Sequence, residues 1–455
     1  MSKIRLHGSS SGYVEIAPAA AASNNTLTAP STVGEIIAKD AAGAIGVTSV
    51  HTTNVVATGT TKVGAAVTIS ESGIEASGIG ITCANINGGA ISATRNLVIN
   101  GAMNVAQYFD KVGATAGNGY YVVDRFKTAT DSVDEEPTVS QSDVASGSSP
   151  YISGLRKAIK FQNGNQTSGA GAGDVVSLQY RFEHQDLASS GWDYTSSASS
   201  LTLQFWVKSS VAQTYFGRFT SQAGTLKTYP FSFAVTADTW TKVVKTIPGH
   251  ADLSFNTNNG NGLLLELCMF RGTNFTGSVS VDEWHTYDAG TRTPDQTSTW
   301  YTTNDATFDV TGVQLEVGSQ ATSFEHRLRV DELAQCQRYF VMFDGDVTAW
   351  RLGYVWVNSA TNSYLNFSLP VTMRSKPTQT YTTGTASDYQ VHSATSASAA
   401  GNSITNCSSV PNIHTQSTKN NVQMTMNTAG SLIAGRIGVF RAASTDAYIG
   451  IGAEF

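Results

Sequence analysis

Residues 1–93 contain no Phe, no Trp and a single Tyr, Tyr13, whereas all seven Trp and all nineteen Phe of the 455-residue chain lie beyond Gly101. Aromatic side chains are the largest packets of area that a core can bury. A stretch this long without them has only Val, Ile and Leu to set against the entropy of an ordered backbone. A compact monomeric fold is therefore not expected of this segment, and partner chains are expected to supply the missing contacts. From Val67 onward Ile69, Ile74, Ile79, Ile81, Ile86 and Ile91 stand in short runs cut by Gly73, Gly78, Gly80, Gly88 and Gly89. Short β-branched runs broken by glycine predict brief strands and turns, and their recurrence resembles the stacked repeats that build rods. The alternative is an Ala/Gly/Thr-rich linker, which has no reason to carry regularly spaced isoleucine.

The remaining composition excludes several classes of function. Charged residues are 14% of the chain and the formal net charge is −6, with Ser, Thr, Asn and Gly in place of the missing charge. A disordered chain carries more net charge and fewer aromatics, and a nucleic-acid binder normally shows a basic stripe. No apolar run has the length of a membrane span, and the polar start MSKIRLHGSSSG is not a signal peptide. A soluble product of a cytoplasm, with neither nucleic acid nor membrane insertion, is the expectation. Cys83, Cys268, Cys336 and Cys407 are scattered without a CxxC pair, which predicts buried free thiols in place of a zinc site or disulfides.

The same reading argues against catalysis and bound metal. The eight His are dispersed with neither i, i+4 nor HxH spacing. A structural Ca²⁺ needs only loop oxygens, but no EF-hand-like loop is present, so no metal and no cofactor is expected. Asp134, Glu135 and Glu136 are adjacent before Pro137 and read as a solvated loop, not as two carboxylates facing across a glycosidic bond. Gly8 to Gly12 matches GxSxG formally, yet a nucleophile elbow sits between a strand and a helix, and this match lies in a polar N-terminus. The protein is expected not to be an enzyme.

Beyond Ala93 the pattern is all-β. Leu201–Lys208, Phe231–Val235, Trp240–Ile247, Leu263–Phe270 and Val279–Trp284 alternate or run apolar between Gly, Asn, Ser and Asp clusters, which predicts a sandwich or jelly roll. Val330–Phe340 has Leu333, Cys336 and Tyr339 or Phe340 at helical spacing and is expected to join two domains. Strands follow at Trp350–Val357, Tyr364–Leu369, Val422–Met426, Ile437–Phe440 and Tyr448–Ile451. The Ser/Thr/Ala/Asn/Gly-rich stretch from Thr382 to Asn421 predicts exposed loops around a short strand at Tyr389–His392.

Taken in order, RNLVINGAMNVAQ from Arg95, SLTLQFWVKSS, DTWTKVVKTIPG, VTGVQLEVGSQATSFEHR, DELAQCQRYF and the terminal GAEF resemble tail-fibre proteins of tailed bacteriophages. The N-terminal LHGSSSGYVEIAPAA and NNTLTAP are similar to segments of fibres from marine and cyanobacterial phages. The resemblance covers nearly the whole chain. It implies a homotrimeric virion protein whose all-β fold runs from an elongated N-terminal β segment through a central jelly-roll sandwich like a carbohydrate-binding module to a C-terminal β-sandwich tip. On this plan residues 1–40 attach to a tail or baseplate protein, 41–94 form a short shaft, 95–328 the sandwich and 329–455 the tip with its short N-terminal helix. The shaft is short, with no long heptad coiled coil, so a head or side fibre or a decoration protein without its own receptor is the alternative. A polysaccharide depolymerase is a third reading.

A fibre of this kind implies a host-surface glycan as ligand. Sugars present apolar C–H faces and many hydroxyls, so a site pairs an exposed aromatic platform with Asn, Asp, Gln or Arg. Trp192, Asp193 and Tyr194 in SSGWDYTSS and Trp300 and Tyr301 in QTSTWYTTND are candidates because their flanks are polar. Tyr389, His392, Asn402, Asn406 and His414 are candidates at the tip. Trp206 and Trp240, within regular strands, are expected in the core.

Overall fold

The structure, a computed structural model, describes residues 95–108, 117–344, 347, 349–394 and 402–455, with the backbone of seven short strands between residues 4 and 90. The chain divides into two units, residues 1–82 and 83–455. In the first, Ile4–His7 pairs with Tyr13–Ile16, and Thr61–Val63, Val67–Ser70 and Gly73–Ala76 form a three-stranded sheet in which Ile69 lies opposite Ile74. In the second, Asn85–Ile86 pairs with Gly89–Ala90. Ile79, Ile81, Ile91 and Cys83, and most of the expected attachment and shaft segments, lie outside the described residues.

Residues 117–317 build the expected sandwich. One sheet has five antiparallel strands in the order Thr241–Pro248, Ser200–Ser209, Thr307–Val317, Lys157–Gln162 and Thr138–Asp143. The other has six, in the order His285–Thr286, Lys227–Val235, Gln213–Ser221, Asn261–Arg271, Val175–Glu183 and Phe126–Asp131. Strict alternation in LTLQFWV sends Leu201, Leu203, Phe205 and Val207 inward, where Phe205 meets Phe233 of the opposite sheet edge-on at 5.3 Å and Phe308 meets Tyr215 at 5.0 Å. Each such side chain contributes roughly 1.5–3 kcal/mol on burial.

Two strand boundaries differ from the expectation for a local reason. Val279–Trp284 is irregular, because Asp282 adopts φ +62° and donates its N–H to Pro230 O, which ends any ladder before His285. Trp240 precedes its strand, because Asp238, at φ +54°, makes the turn there.

The helix spans Arg329–Gln337, with Cys336 and Tyr339 buried and Leu333 half-buried; Phe340 already begins the strand Phe340–Asp344. That strand pairs with Tyr448–Gly452, which pairs with Gln379–Tyr381. Facing them is a seven-stranded sheet in the order Asn402–Asn406, Tyr389–Ala394, Ile437–Ala442, Arg351–Ser359, Asn362–Ser368, Asn421–Asn427 and Asn412–Ile413. Val355, Val357, Leu365, Met424, Met426 and Phe440 fill a second core together with Ile449 and Ile451. Cys268, Cys336 and Cys407 are free and buried, as expected.

The two cores are joined by a buried charged seam. Arg125 pairs with Glu454 at 2.6 Å and lies 3.4 Å above the Tyr339 ring. Glu183 accepts two hydrogen bonds from Arg338, at 2.9 and 2.8 Å, and one from Tyr339 Oη at 2.5 Å. Arg374 donates to the carbonyls of Asn259, Ala453 and Glu454. Among the described residues no group of three or more His, Cys, Asp or Glu is placed to hold a metal ion, and no helix is long and apolar enough to cross a membrane.

Candidate functional site

Four of the expected aromatic platforms are inside the protein. Trp192 packs on Phe255 with ring centroids 6.0 Å apart and donates Nε1–H to Ser199 O. Trp300 is 0% exposed and donates to Thr307 O at 3.1 Å. Tyr301 stacks on Phe270 at 4.5 Å and bonds Gln166 Oε1. Tyr389 stacks on Phe440 and donates to Tyr448 O at 2.7 Å. Their polar flanks are exposed, but a large ring in a short loop gains most by turning inward, so polar neighbours mark the loop and not the ring. Asp193 is exposed and accepts from Thr195 Oγ1, and Tyr194, half-buried, sets its edge against Phe255. The core expectation for Trp206 and Trp240 is also reversed, since both are half-buried.

Among the described residues the sandwich covers the outer faces of both its sheets. On the five-stranded sheet Thr202, Gln204, Gln314 and Glu316 point away from the core yet are buried, because residues 318–326 run across them. Thr322 donates its N–H to Glu316 Oε1 (2.8 Å) and its hydroxyl to Oε2 (2.6 Å), Gln204 donates to Thr322 O, and Glu325 N–H donates to Gln314 Oε1. What stays open is a cleft of about 320 Å³ at the margin, lined by Trp206, Lys242, Phe324, His326 and Ile152. On the six-stranded sheet Glu266 accepts from Arg218, Arg271 and Ser177 under the rings of Phe275 and Tyr287. Burial pushes the Glu266 carboxyl up, but the two guanidinium groups outweigh it and hold the carboxyl well below the usual range.

The seven-stranded sheet leaves its outer face open. Inward Val355 and Val357 force Tyr354 and Trp356 outward, and these are 75% and 50% exposed. The register sets Trp356 between Ile437, 71% exposed, and Tyr364, and Tyr354 beside Val439. The Trp356 and Tyr364 rings lie 6.2 Å apart and 24° from parallel, and His414 meets Tyr364 edge-on at 5.3 Å. Asn366, Gln423, Thr425, Asn362 and Asn427 continue the face across the next two strands, with Gln423 donating to Asn366 and Asn362 to Asn427. On the other side His392 lies beside Val439 and Ile404. Among the described residues the outward positions of these strands hold no carboxylate, and their charged members are Arg351 and Arg441 at one end.

Of the expected tip residues, the half-buried His392 and His414 thus reach this face at opposite ends. Asn406, exposed, accepts from Gln390 Nε2 on its edge. Asn402 lies in the edge strand Asn402–Asn406. Tyr354, Trp356 and Tyr364 were missed as site residues. The signal for them was the alternation in GYVWVN, where two valines on one face leave Tyr and Trp on the other.

No family model and no curated protein matches the chain. Among solved structures it is similar to a putative sugar binding protein from Bacteroides thetaiotaomicron at 12% identity, covering 49% of this chain and 99% of that one with a TM-score of 0.26. The tailspike protein 4 enzymatically active domain of bacteriophage CBA120 is 9% identical, with 49% of this chain and 21% of that chain covered and a TM-score of 0.25. A family 11 carbohydrate-binding module of Clostridium thermocellum is 12% identical over 46% of this chain and 98% of the module, with a TM-score of 0.22. The chain thus spans about a fifth of the tailspike domain.

Proposed function

We propose that the protein is a non-enzymatic receptor-binding fibre of a tailed bacteriophage, homotrimeric in the virion, joined to a tail or baseplate protein by its N-terminal segment and holding a host-surface glycan on the outer face of the seven-stranded sheet. The observation that carries the glycan reading is the combination, on one exposed face, of Tyr354, Trp356 and Tyr364 with a field of Asn, Gln and Thr. Rings offer stacking surfaces to the C–H faces of sugars, and amides both donate to and accept from hydroxyls. The fibre reading is supported by the ordered sequence resemblance and by the first ninety-three residues, whose single aromatic is Tyr13 and which call for partner chains. Three copies engaging one cell surface multiply weak contacts into avidity without new ones.

The test is adsorption competition with purified full-length protein, with its solution mass measured by light scattering. Wild-type protein is expected to be a trimer and to block phage adsorption. Tyr354→Ala with Trp356→Ala is expected to raise the half-blocking concentration by at least about tenfold, the equivalent of about 1.4 kcal/mol. Because both side chains are exposed, melting should change little, about 0.5 kcal/mol or less each, whereas Trp300→Ala should cost about 3–5 kcal/mol. Failure of the wild-type trimer to compete favours a structural virion protein without a receptor. Release of reducing ends from host polysaccharide favours a depolymerase.

A further inference from the structure

At one end of the aromatic row, two like charges face each other. Arg351 and Arg441 are directly opposite across neighbouring antiparallel strands, on the same side of the sheet as Tyr354 and Val439. Like charges in this position destabilise a sheet, and a folded protein normally relieves them with a carboxylate. Among the described residues neither arginine has one in ion-pairing reach. Asp388, just before the neighbouring strand, instead accepts from Thr383 Oγ1 at 2.6 Å. Arg441 Nε is buried without a hydrogen-bond partner, and so is Oε1 of Gln390, the residue opposite Arg441 on its other side. The guanidinium of Arg351, an exposed residue, stands at the end of the row that holds Tyr354.

We infer that the glycan held on this face is anionic, with a carboxylate or phosphate substituent placed between Arg351 and Arg441 while its pyranose ring lies against Tyr354; this rests on the glycan-binding reading above. Guanidinium groups are matched to both anions by their planar pair of donors. An anion there relieves the repulsion between the two arginines. The rest of the face, free of charge, contributes stacking and amide contacts that do not depend on the substituent.

The experiment is calorimetric titration of the full-length protein with three oligosaccharides of equal length: an oligogalacturonide, a phosphorylated mannooligosaccharide and a neutral maltooligosaccharide, each at low and high salt. An acidic oligosaccharide is expected to bind at least about tenfold more tightly than the neutral one, with the advantage shrinking as salt screens it. Which acidic probe wins identifies the substituent. Arg351→Gln with Arg441→Gln is expected to bind acidic and neutral probes alike and, by removing the like-charge pair, to melt no lower than wild type. Equal affinity for all three probes, no binding of either acidic probe, or a preference that survives both substitutions overturns the inference. Adsorption competition separates the two levels. If Tyr354→Ala with Trp356→Ala competes like wild type, the glycan face itself is wrong. If that variant fails to compete while Arg351→Gln with Arg441→Gln competes like wild type, only the anionic ligand is wrong.

Discussion

Trp300 and Trp356 carry the same indole into opposite surroundings, one sealed under the strand that begins at Thr307, the other standing on a sheet face. Polar residues flank Trp300 and valines flank Trp356, so flanking polarity does not distinguish the exposed ring from the buried one. What does is the local period: Trp300 sits in a single helical turn, Thr299–Thr302, with no alternation to aim it, while Trp356 is aimed by Val355 and Val357 on either side. Buried carboxyls follow the same rule that environment decides behaviour. Burial pushes Asp124 up to about 7 against the two hydrogen bonds from Gln107. A carboxyl whose folded-state pKa is raised contributes stability that is complete below the unfolded value near 4 and is lost as pH rises through the folded value. Thermal stability is therefore expected to fall between about pH 4 and 7 from this group. Asp124→Asn should flatten that slope in a pH series of melting curves, and an unchanged slope would remove Asp124 from the account.

At the scale of elements, strands were legible where one face met a core. LTLQFWVK, GLLLELCMF and the strands at Tyr364, Val422 and Ile437 were visible from alternation or apolar runs, whereas Thr138–Asp143 and Asn402–Asn406, with one apolar residue each (Val139 and Ile404), carry no such signal. The irregular segment 318–326 was least legible, since its role depends on Gln204, Gln314 and Glu316, which it meets only after folding. Glu316 is 2% exposed and takes both donors of Thr322 and one from Gln314. Replacing it with Gln turns one acceptor into a donor aimed at other donors. Glu316→Gln is expected to cost about 1–3 kcal/mol and to speed amide exchange at Thr322 and Glu325 before the rest of the sandwich responds. Exchange that stays uniform would show that the segment does not depend on this carboxylate.

Among the described residues of the unit 83–455, the two larger hydrophobic cores are coupled by ionic contacts that neither core can satisfy alone, beside a small apolar cluster of Tyr108, Tyr120 and Phe340. Arg125 and Glu454 are 1% and 0% exposed at their side chains, so each is the other's compensation for lost water. Breaking one partner of a buried pair costs about 3–5 kcal/mol. Wild-type protein is expected to show one calorimetric transition for this unit. Arg125→Leu should lower it and split it into two, and a single transition retained in that variant would mean that the cores couple by other contacts.

Every side chain proposed to touch the ligand occupies an outward position in a strand whose inward positions hold the second core. Tyr354 and Trp356 alternate with Val355 and Val357, and Gln423 and Thr425 with Met424 and Met426. Substitutions on the outward set leave packing intact, so selection on recognition and selection on folding act on separate halves of the same strands. On the proposed reading, this face can follow a changing ligand by a few point mutations at odd or even positions, without passing through unfolded intermediates.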